Sequence, residues 1–235
     1  MFNRVIVAVV GNSNSGKTTA IEAIIKGLTE KGYTVASGKH ISERDFTIDT
    51  KGKDTWRHAM SGASTVLSAA PKELAIIKKV DTQKYTLKQI VAELEEVDII
   101  VLEGFKGLVD QDATIPKVVA TKTVDEISDA LERYKNILAF VGHSLDGNVN
   151  TEIPFIDVLK EPEKLVDLLN QKVEVLVERK RKREEKITIQ VNGRFVPLSP
   201  FVQKIIRETV LSMVSTLKEI KIEGKEKVSI VIRRR

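Results

Sequence analysis

The chain has 235 residues, 42% hydrophobic and 30% charged, with a formal net charge of +5 and no cysteine. That length suits one α/β domain with a small appendage, and that balance of residues describes a soluble globular protein with a sizeable core. The lack of cysteine excludes disulfides, thiolate metal sites and cysteine nucleophiles, and fits a reducing compartment. No apolar stretch reaches the roughly 18 residues that cross a bilayer. The run Val5–Val10 is too short for a signal-peptide core and leads straight into a glycine-rich loop, so a cytoplasmic location is expected. The positive charge is concentrated: Arg179–Arg183 and Arg233–Arg235 together carry eight positive charges, which leaves the rest of the chain net acidic.

In chain order, the first predicted strand is Arg4–Val10. It feeds Gly11–Thr18, which reads G-N-S-N-S-G-K-T, a complete G-x-x-x-x-G-K-[ST] phosphate-binding loop. Gly11 and Gly16 let the backbone of Asn12, Ser13, Asn14 and Ser15 fold closely around phosphate oxygens at a helix N-terminus. Lys17 would reach the β- and γ-phosphates, and the Thr18 hydroxyl would complete the shell of a bound Mg²⁺. The helix that follows places Ala20, Ile21, Ile24, Ile25 and Leu28 on one face and stops at Gly32.

Thr34–Ser37 reads as a strand, and Lys39–Asp54 as a long polar segment suited to a substrate or switch loop. Charged loops are common, and Asp54 could simply cap the helix expected over Thr55–Gly62. Strands are expected near Thr65–Ser68 and Leu74–Ile77, and a helix over Leu87–Glu96 carrying Ile90, Val91 and Leu94. Asp98–Leu102 is a buried central strand ending at Glu103-Gly104. Ligands collect at the carboxyl ends of strands in open α/β sheets, so Glu103 is the expected acidic partner of Mg²⁺, and Asp98 a boundary residue. Lys117–Thr121 and Ile137–Val141 are further strands, separated by a helix from Val124 to Tyr134. The last helix of this part starts after Pro162 and carries Leu165, Leu168, Leu169, Val173 and Leu176.

The alternation of strands and helices predicts an α/β fold, a three-layer P-loop NTPase domain with a mostly parallel sheet over residues 1–177. Residues 178–186, E-R-K-R-K-R-E-E-K, form a charged linker or helix end, without the aromatic residues that a single-strand nucleic-acid binder interleaves. Residues 187–235 carry a compact β-β-α-β pattern. Ile187, Ile189 and Val191 alternate before the hairpin signal Asn192-Gly193, and Phe195 starts the return strand. Ser199-Pro200 caps a helix carrying Val202, Ile205, Ile206, Val210, Met213, Val214 and Leu217, and Val228–Ile232 closes the pattern.

Four strings follow the phosphate loop in fixed order: G-K-H (Gly38–His40), D-F-T-I-D (Asp45–Asp49), G-K-D-T-W-R-H-A (Gly52–Ala59) and V-L-E-G-F-K (Val101–Lys106). Together they resemble the molybdopterin-guanine dinucleotide biosynthesis protein B (MobB) family over roughly residues 1–170. The resemblance implies a homodimeric P-loop GTPase that binds GTP with Mg²⁺ and hydrolyses it slowly. It also implies an accessory role beside the transferase that joins GMP to molybdopterin, with molybdenum or tungsten as the metal of the mature cofactor and with molybdopterin as a further candidate ligand. By position it puts Asn12 to Thr19 at the phosphates and Asp49 and Glu103 near the metal. Lys17, Glu103 and Asp49 then serve any hydrolysis. Lys39, His40, Lys53 and Asp54 would line the adjoining pocket, and Arg57 and Lys106 would neutralise phosphate charge.

The chain departs from the family in two places. The histidine-rich stretch that often follows Lys-His is replaced by I-S-E-R (Ile41–Arg44). No N-K-x-D string reads guanine: T-K-T-V-D (Thr121–Asp125) has one residue too many, and H-S-L-D (His143–Asp146) stands equally as a base-reading loop or a strand-ending turn. A metal-delivery GTPase, a nucleic-acid-binding ATPase using the two basic runs, and a small-molecule kinase are the rival readings. With three histidines and no cysteine, a dedicated metal store is disfavoured.

Overall fold

In the computed structural model the described residues are 5–94, 97–143, 151–184, 189–191 and 194–217. Arg4, the Glu95-Glu96 end of one expected helix, Ser144–Asp146, Ile187, Asn192-Gly193 and Val228–Ile232 lie outside them. The chain divides into two compact units, Met1–Val177 and Glu178–Arg235.

The first unit is built on six parallel strands in the order β2-β5-β1-β6-β7-β8. These are β1 (Val5–Gly11), β2 (Val35–Lys39), β5 (Ile99–Glu103), β6 (Lys117–Ala120), β7 (Ile137–Gly142) and β8 (Phe155–Asp157). β1 is apolar at every position from Val5 to Val10 because both its faces are covered. Val5, Val7 and Val9 enter one core layer, and Ile6, Ala8 and Val10 the other. The first layer receives Ala20, Ile21, Ile24 and Leu28 of α1 (Lys17–Glu30). It also takes Leu165, Leu169, Val173 and Val177 of α6 (Pro162–Glu184). The opposite layer receives Leu87 and Val91 of α3 (Leu87–Ala92) and Ile127 and Ala130 of α5 (Val124–Arg133).

Chain punctuation follows local chemistry. α1 ends at Glu30 with Lys31 as its C-cap, and Gly32 takes the left-handed φ of 86° that closes the turn. Thr86 and Gln89 form a reciprocal capping box on α3. Asp98 Oδ2 accepts from the Thr34 N–H (3.0 Å) and hydroxyl (2.9 Å), which locks the starts of β5 and β2 together. That is the boundary role expected of it.

Between β2 and β5 the chain makes a side excursion. α2 (Asp54–Met60) leads into β3 (Thr65–Ala70) and β4 (Glu73–Lys78), which pair antiparallel in a sheet of their own. Lys53 holds the N-cap position and Asp54 is the first helical residue, so Asp54 is not the cap of this helix. Three further short elements have no counterpart in the expectations: β8, the single turn α4 (Lys106–Val109) and a 3-10 turn at Thr82–Lys84.

The second unit contains β9 (Ile189–Val191) and β10 (Arg194–Val196), paired antiparallel, and α7 (Pro200–Ser215). Ser199 caps α7 by accepting from the Val202 N–H, with Pro200 in the first turn as expected.

α1 and α6 approach closely at Gly27, where a Cβ would run into the Val166 side chain. Gly27→Ala should therefore lower stability by about 1–2 kcal/mol even though alanine favours helix. In urea unfolding, Gly27→Ala/Val166→Ala should be more stable than the sum of the two single losses predicts. Simple additivity would show that this contact does not set the helix spacing.

Candidate functional site

All six parallel strands end on one edge, and the phosphate loop leaves the central one. Gly11 takes φ 144°, and a Cβ there would strike the Ala120 carbonyl oxygen of the neighbouring strand. Gly16 (φ 92°) and Asn14 (φ 56°) adopt left-handed backbone, which glycine and asparagine tolerate best. α1 starts at Lys17 with no side-chain cap, so its first-turn N–H groups face the loop.

Asn12 holds this loop together. Its carbonyl accepts from the Ser15 hydroxyl (2.8 Å) and from the Lys17 ammonium. Its side-chain amide donates to Glu126 Oε1 (2.9 Å), and its Oδ1 accepts from Lys106 Nζ (3.3 Å). Ser13 and Thr18 are exposed.

On the β2–β5 side, Lys39 Nζ lies 3.3 Å from Glu103 Oε1, and the His40 N–H donates to the Glu103 carbonyl (2.9 Å). The His40 ring packs at 5.4 Å on Phe105, whose own left-handed φ of 55° starts α4 and brings Lys106 to Asn12. Burial pushes the Lys17 pKa down. Glu103 opposes that, while Lys106, Lys39 and Lys122 push it further down. Burial likewise lowers the Lys106 pKa, assisted by Arg133.

The structure thus brings together the phosphate loop, Glu103, Lys39, His40 and Lys106. The other expected residues keep to their own segment. Asp49 Oδ1 accepts from the Thr50 N–H (2.8 Å) and the Thr55 hydroxyl (2.8 Å). Arg57 pairs with Asp54 at 3.8 Å, with both side chains largely exposed, and Lys53 is exposed. Among the described residues no group of three or more acidic, histidine or cysteine side chains converges. A Mg²⁺ here would draw on Thr18, Glu103 and phosphate oxygens, the sparse protein shell that this cation takes beside a nucleotide.

On the β6–β8 side lies a cavity of about 340 Å³. Asn14, Ser15, Gly16 and Thr19 form its phosphate-loop wall; Thr121, Lys122, Gly142, His143, Val158 and Leu159 form the rest. A Cβ at Gly142 would strike the Thr121 carbonyl and the Phe155 ring, so glycine lets the end of β7 pack close to both neighbours. Asp157 holds the far side by accepting from the Leu159 (3.1 Å) and Lys160 (3.3 Å) N–H groups and pairing with His143 Nδ1 at 3.6 Å.

Of the two strings weighed for base reading, His143 of the second and Thr121 and Lys122 of the first line this cavity, while the sequence assigns no role to Glu126. Its carboxylate links Asn12 to the Lys122 N–H (2.6 Å). The available signal was the T-x-x-E pattern Thr123–Glu126, in which Thr123 caps α5.

A doubly covered parallel sheet with this loop on its central strand defines a three-layer α/β protein of the P-loop NTPase class. The profile of the family described as "Molybdopterin guanine dinucleotide synthesis protein B" matches residues 6–143. This chain belongs to that family, MobB. It is 31% identical over 234 residues to a "Putative molybdopterin-guanine dinucleotide biosynthesis adapter protein" of Methanocaldococcus jannaschii, covering 91% of this chain and 92% of the relative. It is 30% identical over 131 residues to the corresponding adapter protein of Haemophilus influenzae, covering 53% and 70%. The crystal structure of a "molybdopterin-guanine biosynthesis protein B (mobB)" superposes with a TM-score of 0.55 at 28% identity, covering 72% of this chain and 99% of that one. Bacillus subtilis MobB superposes with the same score at 24% identity, covering 70% and 97%, and supports the fold.

Burial pushes the Glu126 pKa up, but hydrogen bonds from Asn12, Lys122 and Thr123 and the Lys122 charge outweigh it, so the net shift is downward from 4.5. A carboxylate lowered in the folded state contributes stability that is present above its unfolded value and lost as pH falls through the folded one. Glu126→Gln should therefore melt below wild type at pH 7, and the gap should close in acid below 4.5. A gap that persists unchanged into strong acid would assign the loss to packing instead.

Proposed function

We propose that this protein is a Mg²⁺–GTP-binding adapter with slow GTP hydrolysis, acting beside the guanylyltransferase that builds molybdopterin guanine dinucleotide in the cytoplasm. The observation that carries this reading is the complete phosphate loop beside Glu103 in a chain of the MobB family. The relatives' names supply the pathway and the word adapter. The choice of guanine rests on that family membership.

In this reading the triphosphate lies along the first-turn N–H groups of α1. Lys17 exchanges the Asn12 carbonyl for β- and γ-phosphate oxygens, with Lys39 and Lys106 supplying further positive charge. Mg²⁺ would be held by Thr18 and Glu103 and would supply positive charge against the charge that develops on transfer. Asp49, whose carboxylate is committed to its own loop, would act by shaping the segment 40–53 beside the metal. The base enters the cavity between Thr121 and Leu159. His40 beside Glu103, and the exposed Lys53, Asp54 and Arg57 on their own segment, would offer contacts to a second anionic ligand such as molybdopterin, or to the transferase.

A homodimer completes the reading. In the β3–β4 hairpin, Leu67 pairs with Ile76 and Ala69 with Leu74, so these four share one face, and Leu67, Leu74 and Ile76 are exposed. Met60 and Val80 add exposed apolar surface on the adjoining chain. Clustered apolar exposure of this kind marks an association surface, and a second copy of the chain would cover it.

Lys17→Ala should abolish GTP binding in calorimetric titration; unchanged affinity would remove the loop as the site. Glu103→Gln should slow Mg²⁺-dependent hydrolysis by about 10²-fold or more with a smaller effect on binding, and equal turnover would take Glu103 out of the metal shell. Leu67→Glu/Ile76→Glu should convert a dimer into a monomer in sedimentation velocity. A double variant that sediments like wild type would place the interface elsewhere.

A further inference from the structure

Helix α5 meets the candidate site at two points, Glu126 in its first turn and Arg133 in its last. Seven residues separate them, so they share one face about 10 Å apart. At Arg133 the helix holds the end of α4. Arg133 Nε donates to Asp110 Oδ2 (2.8 Å), Gln111 Nε2 to the Arg133 carbonyl (2.6 Å), and the Lys135 N–H to the Asp110 carbonyl (2.9 Å). At Glu126 it holds Asn12, whose Oδ1 in turn accepts from Lys106 Nζ. One helix therefore fixes both the main chain that carries Lys106 and the partner of its ammonium.

Asn12 is exposed, and its amide has a donor end and an acceptor end of nearly the same shape. Lys106 only donates, so it needs the oxygen end, and the NH₂ end then needs an acceptor on the other side. Glu126 Oε1 is that acceptor, while Oε2 takes the Lys122 N–H (2.6 Å). A carboxylate serves both positions; in glutamine one of them becomes an NH₂ that faces another donor. We propose that Glu126 is a positioning residue for the phosphate site: it orients Asn12, and Asn12 holds Lys106 where phosphate oxygens enter. This rests on the reading of the phosphate loop as a Mg²⁺–GTP site. Lys106 has three donors, so it keeps Asn12 and still has N–H groups for phosphate. Charge and position act in opposite directions here. A carboxylate near a polyphosphate repels it, so by charge alone Glu126 hinders binding. By orienting Lys106 it favours binding.

Calorimetric titration of the full chain with Mg²⁺–GTP and with Mg²⁺–tripolyphosphate tests this in wild type, Glu126→Gln, Lys106→Met and the double variant. Glu126→Gln should weaken both ligands about fivefold. In the Lys106→Met background the same change should cause no weakening, because nothing is left to position. Asn12→Ala, which cuts the link at its other end, should also weaken both ligands about fivefold. Binding by Glu126→Gln as tight as wild type, or tighter, would show that only its charge is felt and would overturn the inference. Equal weakening in both backgrounds would make Glu126 a structural residue and would also overturn it, as would wild-type affinity in Asn12→Ala. If tripolyphosphate follows the expected pattern but GTP binds no better than tripolyphosphate, the inference stands and the GTP reading falls. A wild type that binds neither ligand removes both.

Discussion

Burial of β1 on both faces is the constraint on which the rest depends. A strand covered from both sides must be apolar throughout, and its neighbours β5 and β6 satisfy its backbone groups. Polar function can then appear only where the strand ends. At that point Gly11 passes under the Ala120 carbonyl with no room for a side chain, and the chain turns into α1. The winding of the sheet reverses around β1: the chain runs outward to β2, returns through β5 and crosses to β6. Loops on the two sides therefore diverge and leave space beside the phosphate loop.

The two sides of that gap differ in chemistry. Toward β2 and β5 stand Lys39, His40, Glu103 and Lys106, a charged group without a deep cavity. Toward β6, β7 and β8 stands a half-open cavity walled by Thr121, Gly142, Val158 and Leu159. Asn12 bridges them, since its amide holds Lys106 on one side and Glu126 on the other. A ligand that spans both sides would meet ammonium groups at one end and a partly apolar space at the other, as the proposed nucleoside triphosphate would.

Most of this scaffold was legible in the sequence because its signals are local. The apolar run Val5–Val10, the face Ala20–Ile24–Leu28 and the run ending at Glu103 each appear within a few turns or strand residues. The phosphate loop is legible for the same reason, being one contiguous string. β8 was not, since the three residues Phe155–Asp157 are too few to show a period. α4 was not, since one turn begins at Phe105 in a left-handed conformation that no glycine announces. Val66 and Ile76 read as ordinary strand residues, and nothing local shows that their hairpin stands apart from the main sheet. The Asn12–Glu126 contact joins residues 114 apart in sequence. Only the order of strands brings them together.

The charge arrangement bears on the proposed choice of a triphosphate over a single phosphate. Lys17 is partly desolvated, and Lys39, Lys106 and Lys122 stand close enough to depress its pKa, with Glu103 alone among the groups acting on it to oppose them. Four ammonium groups around one loop repel each other, and the carbonyl of Asn12 and the carboxylate of Glu103 offset only part of that cost. Each negative oxygen that enters relieves repulsion between lysines already held in place, so the gain grows with the charge of the ligand. A Mg²⁺ beside Glu103 would then restore balance by neutralising the oxygens that the lysines do not reach. The repulsion that a highly charged ligand would relieve is thus built into the spacing of side chains that the strand ends hold apart.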